Sequence, residues 1–453
     1  MKKAIAIVLI LVFALSMTAC GKNGDEKSSP NSQTPQESQS PSDAQPSTNP
    51  EQSADDKILT PEELKNHEIY KHAKTDNALN GIGSAIQDDR SQIYKAFDKV
   101  TQKSNVVVGW AEVAMVSDFF AGLQTGAKQW CDEYGYELRY LVADPPFEVS
   151  SVSANVEALI LQGIDVLVIN PADYHGQITD VQKAVDAGIP VISVVPFEET
   201  VPVLTTVSPI DYNGAFLSGQ FAAKLYNEPI EIIMISGQLG HAVTNPRMNG
   251  MLAGWVYGKQ EMAGTAKPYW EDAMLEGYNY YKELVEKGKV DMSKYDAQIM
   301  GVADGNWAEV EGMTAAENLL TANPNTSLIL SENDQMGAGA VRVLEQRGLT
   351  DKVKIVTSAD GDTHALGLVR DGKLMSTGYN NPLAISKAVV TLIHMIFEEG
   401  YDANNMPRIT PMPLRLYTAD NYNEVYEEGT TYSKVIDIDY KTIDEINAEI
   451  LGN

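Results

Sequence analysis

The chain has 453 residues, enough for two or three domains, and its hydrophobic content of 43% and charged content of 21% are typical of a globular protein. Its formal net charge is −28 at pH 7. A field of that sign repels the phosphates of nucleic acids and the head groups of anionic lipids. The composition therefore excludes nucleic acid and an anionic membrane surface as main partners.

The first twenty residues have the three parts of a secretion signal. Lys2 and Lys3 precede an apolar run over 4–14, and small residues then lead to Cys20. The segment is too short for a membrane-spanning helix. Its end resembles a bacterial lipobox, which implies cleavage of residues 1–19, acylation of Cys20 and anchoring at the extracytoplasmic face of the cell membrane. Cys131 is then the only free thiol, so no intramolecular disulfide is expected, and we predict that it packs in a core.

Two further segments precede the main part of the chain. Residues 20–56 are rich in Ser, Pro, Gln and Asn, and they carry too few apolar side chains to fold. We predict that they form a disordered tether. Residues 57–104 are predicted to be a helical extension, which opens at Thr60-Pro61-Glu62-Glu63 with Thr as the N-cap and Pro in the first turn.

From residue 105 onward, short apolar runs alternate with longer amphipathic stretches. The runs are rich in Val and Ile and show no polar alternation, which indicates strands buried on both faces of parallel sheets. Eight such runs occur, at 106–110, 138–143, 165–170, 190–195, 231–236, 297–302, 327–332 and 353–358. This alternation predicts a doubly wound α/β fold. Because nearly 350 residues exceed the size of one sheet, we predict two similar lobes.

Aromatic, amide and carboxylate side chains recur directly after these predicted strands. In open parallel sheets, ligands bind beyond the carboxyl ends of the strands. Aromatic faces can cover the C–H patches of a sugar, while bidentate polar groups pair with its hydroxyls. The strand-end segments therefore predict a site for a neutral polyhydroxylated ligand. They include Ser117 and Asp118, 171–173, 245–247, 304–307, 332–334, 359–361 and 379–381.

Several motifs in a fixed order carry a resemblance to a known family. They are 118-DFF-120, 162-QGID-165 with 169-INP-171, 187-AGIPV-191, Arg247, 317-ENLL-320, 332-END-334 and 359-ADG-361. From about residue 105 to 415 the chain resembles the periplasmic sugar-binding proteins of the ribose- and galactose-binding type, which have the type I fold. The resemblance implies ligand-binding roles for Phe119, Phe120, Arg247, Trp307, Asn333, Asp360 and Asn380.

The chain departs from the family pattern in three places. Val195-Pro196 stands where the family usually has a polar pair such as Asp-Arg, and Ser117 replaces the usual Asn before the aromatic pair. A longer segment rich in Tyr and Trp, around 255–300, separates Arg247 from Trp307. This insertion is either a helical hairpin on the rim or additional core. The lost polar pair leaves the identity of the sugar open.

We predict a receptor that closes around its ligand by rotation about a hinge. We assign 105–209 and 381–411 to the N-terminal lobe and 210–380 and 412–453 to the C-terminal lobe, with crossing segments near Pro209, Asn381 and Pro411. The resemblance implies a monomer that delivers a monosaccharide or a similar small molecule to the permease of an ABC transporter. No cofactor and no metal ion is expected.

Other functions remain as alternatives to transport. A sensor that presents its bound state to a membrane receptor kinase or chemoreceptor would use the same lobes, and the extension at 57–104 favours it. A transcription regulator conflicts with the secretion signal and the acidic charge. An enzyme lacks support because the chain has no GxSxG motif, no P-loop and no GxGxxG after a predicted strand.

Overall fold

The structure is a computed structural model that describes residues 59–82, 100–197, 200–442 and 445. The predicted signal segment, Cys20 and the tether lie outside these residues, as does 83–99 of the predicted extension. Thr60–Asn453 forms one compact unit.

Thirteen strands and twelve α-helices are numbered in chain order over the described residues. The strands are β1 Val107–Glu112, β2 Glu137–Val142, β3 Val166–Ile169, β4 Val191–Ser193, β5 Thr205–Ser208, β6 Ile230–Ser236, β7 Val290–Met292, β8 Ala297–Asp304, β9 Thr326–Ser331, β10 Lys354–Thr357, β11 Ser376–Gly378, β12 Ile409–Pro411 and β13 Leu416–Thr418. The helices are α1 Pro61–Lys65, α2 Glu68–Ala73, α3 Asp118–Tyr134, α4 Val149–Leu161, α5 Ile178–Asp186, α6 Asp211–Ala223, α7 Thr244–Met262, α8 Glu271–Lys287, α9 Glu309–Ala322, α10 Asp334–Arg347, α11 Thr363–Arg370 and α12 Pro382–Phe397. None of these helices has the length and apolar character needed to cross a membrane.

The first sheet has six parallel strands in the order β12-β5-β4-β3-β1-β2. All residues of β3, β4 and β5 are buried, because helices cover both faces of the sheet. Helices α3, α4, α5 and α12 pack against its strands or against one another. We call this sheet with these helices the first lobe.

The second sheet has five strands in the order β10-β9-β6-β8-β7. Four of them are parallel, whereas the edge strand β7 runs antiparallel to β8. Helices α6, α7, α9, α10 and α11 pack around this sheet and around one another, and together they form the second lobe. The predicted doubly wound α/β fold is confirmed, and each of the eight predicted apolar runs overlaps a strand.

The chain passes between the two lobes at three places. β5 of the first sheet leads into α6, and β12 of the first sheet leads into β13. Between them, β11 leads into α12, and β11 pairs with β13 in a separate two-stranded sheet. The hinge at these connections remains a prediction.

The C-terminal residues return to the first lobe. The Tyr432 hydroxyl donates to the Asp118 carbonyl at 3.1 Å, and the Asn381 amide at the start of α12 donates to the Ser433 carbonyl at 2.7 Å. Val435, Ile436, Ile438 and Tyr440 pack against the core of the first lobe. The sequence prediction assigned 412–453 to the second lobe, whereas these contacts join its last part to α3 and α12.

Helices α6 and α7 lie in very close contact along a row of glycines. Gly250, Gly254 and Gly258 recur every fourth residue on α7, so they share one face of the helix. A Cβ atom on Gly254 would stand 1.9 Å from the Phe216 carbonyl oxygen, and one on Gly258 would stand 2.6 Å from the Gln220 carbonyl oxygen. The second lobe therefore depends on the absence of side chains along this row.

The predicted extension and the predicted insertion are packing partners. The insertion supplies the end of α7, helix α8 and strand β7, and Trp255 is buried with its indole N–H donating to the Tyr295 carbonyl at 2.8 Å. Helix α2 of the extension lies on α8, where the Tyr70 hydroxyl donates to Glu271 at 2.7 Å. The insertion is therefore a helical hairpin and also additional core.

The extension also reaches both lobes through one side chain. The Asn77 amide nitrogen donates to the Tyr174 hydroxyl of the first lobe at 2.8 Å. Its amide oxygen accepts from Asn245 of α7 at 2.8 Å. Ala78 and Leu79, which follow it, are buried in the core of the second lobe.

Candidate functional site

A cavity lies between the carboxyl ends of the two parallel sheets. It encloses about 720 Å³ of empty space, including the part that is open to solvent. Eight of the nine residues predicted for the ligand site line it: Ser117, Phe119, Phe120, Arg247, Trp307, Asn333, Asp360 and Asn380. The structure does not bring Asp118 to the cavity. Asp118 opens helix α3 and is exposed, because the helix turns Phe119 and Phe120 toward the cavity instead.

Aromatic rings form a continuous row across the cavity. The ring centroids of Phe119 and Phe120 are 5.7 Å apart, and those of Phe120 and Phe147 are 5.9 Å apart. Phe147 of the first lobe then meets Trp307 of the second lobe at 6.0 Å, and Trp307 meets His241 at 4.8 Å. The row supplies apolar faces against which a sugar ring can pack.

Two rings of this row stand on backbone that non-glycine residues seldom adopt. The φ angle is +61° at Phe147 and +54° at Trp307. Such left-handed conformations cost about 1–3 kcal/mol when a side chain is present, and they concentrate at ligand sites. The fold holds both rings at the cavity despite this cost.

Arg247 is the cation of the site. Its Nε donates to Asp211 at 2.7 Å, and both side chains are buried. Burial opposes the charge of Arg247, but Asp211, Asp360 and Glu332 outweigh that effect, so the pKa of the guanidinium is raised and it stays protonated. Among the described residues, none accepts a hydrogen bond from its two terminal amino groups, so these remain available to a ligand.

Asp360 is the main acceptor opposite Arg247. Its carboxylate accepts from the Asn380 amide at 3.2 Å and from the Asn333 amide at 3.4 Å. Burial raises the pKa of Asp360 to about 6, although Arg247 lowers it. The amide oxygen of Asn380 is buried and has no hydrogen-bond partner within the described part of the chain. A buried acceptor without a partner costs about 1–3 kcal/mol, which a ligand hydroxyl would relieve.

Asn333 lines the cavity and also stabilises the start of a helix. It is the N-cap of α10, and its amide oxygen accepts from the Met336 backbone N–H at 3.1 Å. Its amide nitrogen donates to the Trp307 carbonyl at 3.3 Å. Asn333 therefore positions Trp307 and Asp360.

A buried glutamate stands behind the second-lobe wall. The Glu332 carboxylate accepts from the Gly237 backbone N–H at 2.7 Å and from the Trp307 indole at 3.2 Å. Burial raises the pKa of Glu332 to about 7, against the effect of Arg247. Glu332 holds the indole of Trp307 at the cavity.

A second buried glutamate stands behind the first-lobe wall. The Glu112 carboxylate accepts from Trp110, Tyr140 and Asn170, the last at 2.6 Å. Burial raises the pKa of Glu112 to about 7, although its hydrogen-bond donors lower it. Glu112 orients Asn170, which lines the cavity.

Replacing Gly237 with alanine is expected to displace Trp307 and weaken ligand binding. A Cβ atom at Gly237 would stand 2.1 Å from the indole ring, so the ring must move out of its place. We expect a loss of about tenfold in affinity, since a shifted ring loses its contacts and its bond to Glu332. Titration calorimetry measures the affinity and tryptophan emission reports the ring. An unchanged spectrum together with unchanged affinity would contradict this role of Gly237.

The sequence analysis did not identify several residues of the cavity. They are Val113, Leu123, Phe147, Asn170, Val194, Ser208, Pro209, Asp211, His241, Val243 and Ile385. Leu123 and Ile385 read as ordinary core positions of amphipathic helices. Phe147 and His241 lie in loops without a repeating pattern. For Asn170 a signal existed, because it ends the predicted strand at 165–170.

Cys131 does not line the cavity. Cys131 is fully buried, which confirms the predicted core thiol, and burial raises the pKa of its thiol to about 12. In the ranges that the structure describes, no group of three His, Cys, Asp or Glu side chains is arranged to hold a metal ion.

Two parallel α/β lobes with an aromatic and polar cavity between the ends of their strands define a two-lobed binding protein of type I. The chain belongs to the periplasmic binding protein domain family, whose sequence profile matches residues 108–400. This match confirms the family that the motifs predicted.

Curated relatives of this chain are binding proteins of sugar transport. The ribose import binding protein RbsB of Bacillus subtilis is 23% identical over 285 residues, which are 63% of this chain and 79% of that protein. The same protein of Escherichia coli is 26% identical over 57% of this chain and 74% of its own length. These relatives are binding proteins rather than enzymes.

Solved structures share the fold. An ABC transporter solute-binding protein from Mycobacterium smegmatis with bound glycerol has a TM-score of 0.59 and 23% identity, covering 73% of this chain and 99% of its own. A solute-binding protein from Bacillus halodurans with bound myo-inositol has a TM-score of 0.56 and 22% identity, covering 72% and 98%.

Proposed function

We propose that this chain captures a small, neutral, polyhydroxylated molecule, a sugar or a sugar-like compound, between its two lobes. One observation carries the proposal. The cavity combines a row of aromatic rings with hydrogen-bonding groups that no described residue uses, namely the terminal amino groups of Arg247 and the amide oxygen of Asn380. Relatives named for ribose import, and solved structures with glycerol and myo-inositol, support this class of ligand.

The charges of the cavity favour a neutral ligand. The charge of Arg247 is already matched by Asp211, and Asp360 adds a second carboxylate close by. His241 adds no positive charge, because burial lowers its pKa to about 4. A phosphorylated or carboxylated ligand would therefore meet a carboxylate without a free cation to balance it.

A screen by thermal shift tests the ligand class. The full chain is heated with monosaccharides, deoxy sugars, polyols and nucleosides, and with glucose 6-phosphate as an anionic control. A true ligand at 100 times its Kd stabilises the folded state by about 2.7 kcal/mol, which raises the melting temperature by several degrees. We expect a neutral polyhydroxylated compound to give this shift, confirmed by calorimetry. A screen in which only the anion stabilises the chain contradicts the proposal.

Capture is proposed to proceed by closure about the three connections between the lobes. The ligand contacts both walls only in the closed form, so its binding shifts the population toward that form. The closed receptor, a monomer anchored through acylated Cys20, then delivers the ligand to an ABC permease. Mass spectrometry of the membrane fraction tests the anchor, since Cys20→Ala is expected to abolish the lipid modification.

Transport and sensing share the capture step, and an uptake assay separates them. A cell that lacks this chain is expected to lose uptake of the radiolabelled ligand, because the permease then receives no loaded receptor. Intact uptake with loss of the transcriptional response to the ligand would favour the sensor.

Ligand affinity is expected to fall about tenfold between pH 7 and pH 5. The pKa of Asp360 is raised to about 6, so its carboxylate is protonated and loses its charge over this pH range. His241 stays neutral throughout, and Arg247 stays charged. Calorimetry at both pH values checks this. Asp360→Asn should reduce this dependence, and any part that remains reflects Glu332 and Glu112, which both have a pKa of about 7. Equal affinity of the original chain at both pH values would contradict the role of Asp360.

A further inference from the structure

The wall that the first lobe contributes to the cavity is largely apolar. Val113 follows β1, Val194 and Val195 follow β4, and the helices α3 and α12 add Leu123 and Ile385. Val195 is partly exposed and the other four are buried. In this part of the cavity the surface that faces a ligand is hydrocarbon.

The polar backbone at the centre of this wall is already engaged. The Ser193 hydroxyl donates to the Val195 carbonyl at 2.6 Å and accepts from the Val195 N–H at 3.2 Å. The backbone N–H of Val195 is therefore occupied, and its carbonyl already accepts one hydrogen bond. A ligand hydroxyl placed against the side chain of Val195 would find no partner in that side chain.

Nearby polar side chains of the same lobe also form hydrogen bonds within the protein. The Ser208 hydroxyl donates to the Pro209 carbonyl at 2.9 Å. The amide nitrogen of Asn170 donates to the buried Glu112 at 2.6 Å. The first lobe therefore offers a ligand few hydrogen-bonding groups, namely Ser117, the Ser208 hydroxyl oxygen and the Asn170 amide, and the side chains of Val194 and Val195 offer none.

The second-lobe wall has the opposite character. It presents the terminal amino groups of Arg247, the carboxylate of Asp360 and the amide oxygen of Asn380, which has no hydrogen-bond partner among the described residues. One wall can thus pair with several hydroxyls, while the other can contact only C–H groups around Val195. A ligand that matches both walls carries hydroxyls on one side and C–H groups on the other.

We propose that the ligand is a deoxy or methyl-bearing sugar, whose hydroxyls face Arg247, Asp360 and Asn380 and whose carbon without a hydroxyl packs against Val113, Val194 and Val195. This inference rests on the proposed function and specifies its substrate class. A hydroxyl buried without a partner weakens binding by about tenfold or more, and the valines impose that loss on a fully hydroxylated sugar.

Matched pairs within the ligand screen test this substrate class. The pairs are D-galactose with D-fucose, D-glucose with 6-deoxy-D-glucose, and D-ribose with 5-deoxy-D-ribose, and the members of each pair differ by one hydroxyl. Calorimetry with the full chain gives both affinities. We expect the deoxy member of the best-binding pair to bind at least about tenfold more tightly than its hydroxylated partner.

A substitution at Val195 provides a second test of the substrate class. Val195→Thr adds a hydroxyl at a partly exposed position and leaves the backbone bonds to Ser193 in place, so the fold is expected to persist. It should narrow or reverse the preference within the pair. Val310→Thr is the matched control, because Val310 is 68% exposed on α9 and should leave the preference unchanged.

The outcomes separate the two levels of the proposal. A hydroxylated sugar that binds as tightly as its deoxy partner, or a preference that Val195→Thr does not alter, overturns the deoxy-sugar inference and leaves sugar binding intact. A screen in which no neutral polyhydroxylated compound binds overturns the proposed function, and the inference with it.

Discussion

Replacing Asp360 with asparagine is expected to weaken ligand binding about 100-fold, which corresponds to about 3 kcal/mol. The carboxylate accepts hydrogen bonds from Asn333 and Asn380, and the charge of Arg247 stabilises its ionised form. The substitution keeps the shape of the side chain but removes its charge and turns one acceptor into a donor. Titration calorimetry with the best ligand of the screen measures the loss.

The matched control for this prediction is Asp118→Asn. Asp118 also belongs to the predicted site, but it is exposed at the start of α3 and does not line the cavity. The same chemical change there is expected to leave affinity within about twofold, since a screened surface charge contributes little. Equal losses in the two variants would show that the total negative charge matters, and not the position of Asp360.

Replacing Gly254 with alanine is expected to destabilise the fold by about 3 kcal/mol, a large share of the stability of a typical domain. The new Cβ would stand 1.9 Å from the Phe216 carbonyl oxygen, so α6 and α7 must separate along their whole row of contacts. Both helices carry site residues, Asp211 on α6 and Arg247 on α7. Urea-induced unfolding followed by circular dichroism gives the free energy.

The control for this substitution is Gly367→Ala in helix α11. A Cβ atom there would have only Tyr426 within reach, at 4.0 Å, which is an ordinary contact. The same change is expected to stabilise the fold by about 0.5–1 kcal/mol, because alanine favours helix more than glycine does. A stability of Gly254→Ala equal to that of Gly367→Ala would contradict the close approach of α6 and α7.

The row of glycines on α7 connects the stability of the second lobe to the geometry of the ligand site. Asp211 and Arg247 form a buried ion pair at 2.7 Å, and they come from the two helices that the row holds together. If the helices move apart, the pair opens and leaves both charges buried without partners, which is costly. We therefore expect any folded fraction of Gly254→Ala to bind ligand poorly as well.

The sequence by itself determined the fold class, eight of the thirteen described strands and eight of the residues that line the cavity. Strands buried on both faces need continuous apolar runs, so 106–110, 165–170 and 231–236 were visible without a structure. In a parallel sheet the residues after such strands gather at one edge, which is why Phe119, Trp307 and Asp360 could be placed in one cavity. The strands β5, β11 and β13 gave no such pattern, because their sequences, TTVS, STG and LYT, contain polar residues and form no apolar run.

Only the tertiary structure decided the relations between distant segments. A strand-end position does not say which way a side chain points, so Asp118 was predicted for the site although the helix carries it outward. No periodicity could show that Phe147 crosses from the first lobe to meet Trp307, or that Asn77 contacts both lobes.

At Val195 the sequence and the structure each contribute a different part of the interpretation. The resemblance to the family indicated that valine stands at a position where a polar residue is usual. Only the structure showed that the Ser193 hydroxyl forms hydrogen bonds with the backbone N–H and the carbonyl of Val195. It also showed that Val113 and Val194 extend the apolar wall. Local patterns depend on neighbours along the chain, whereas the character of a cavity depends on side chains that the fold brings together from distant positions.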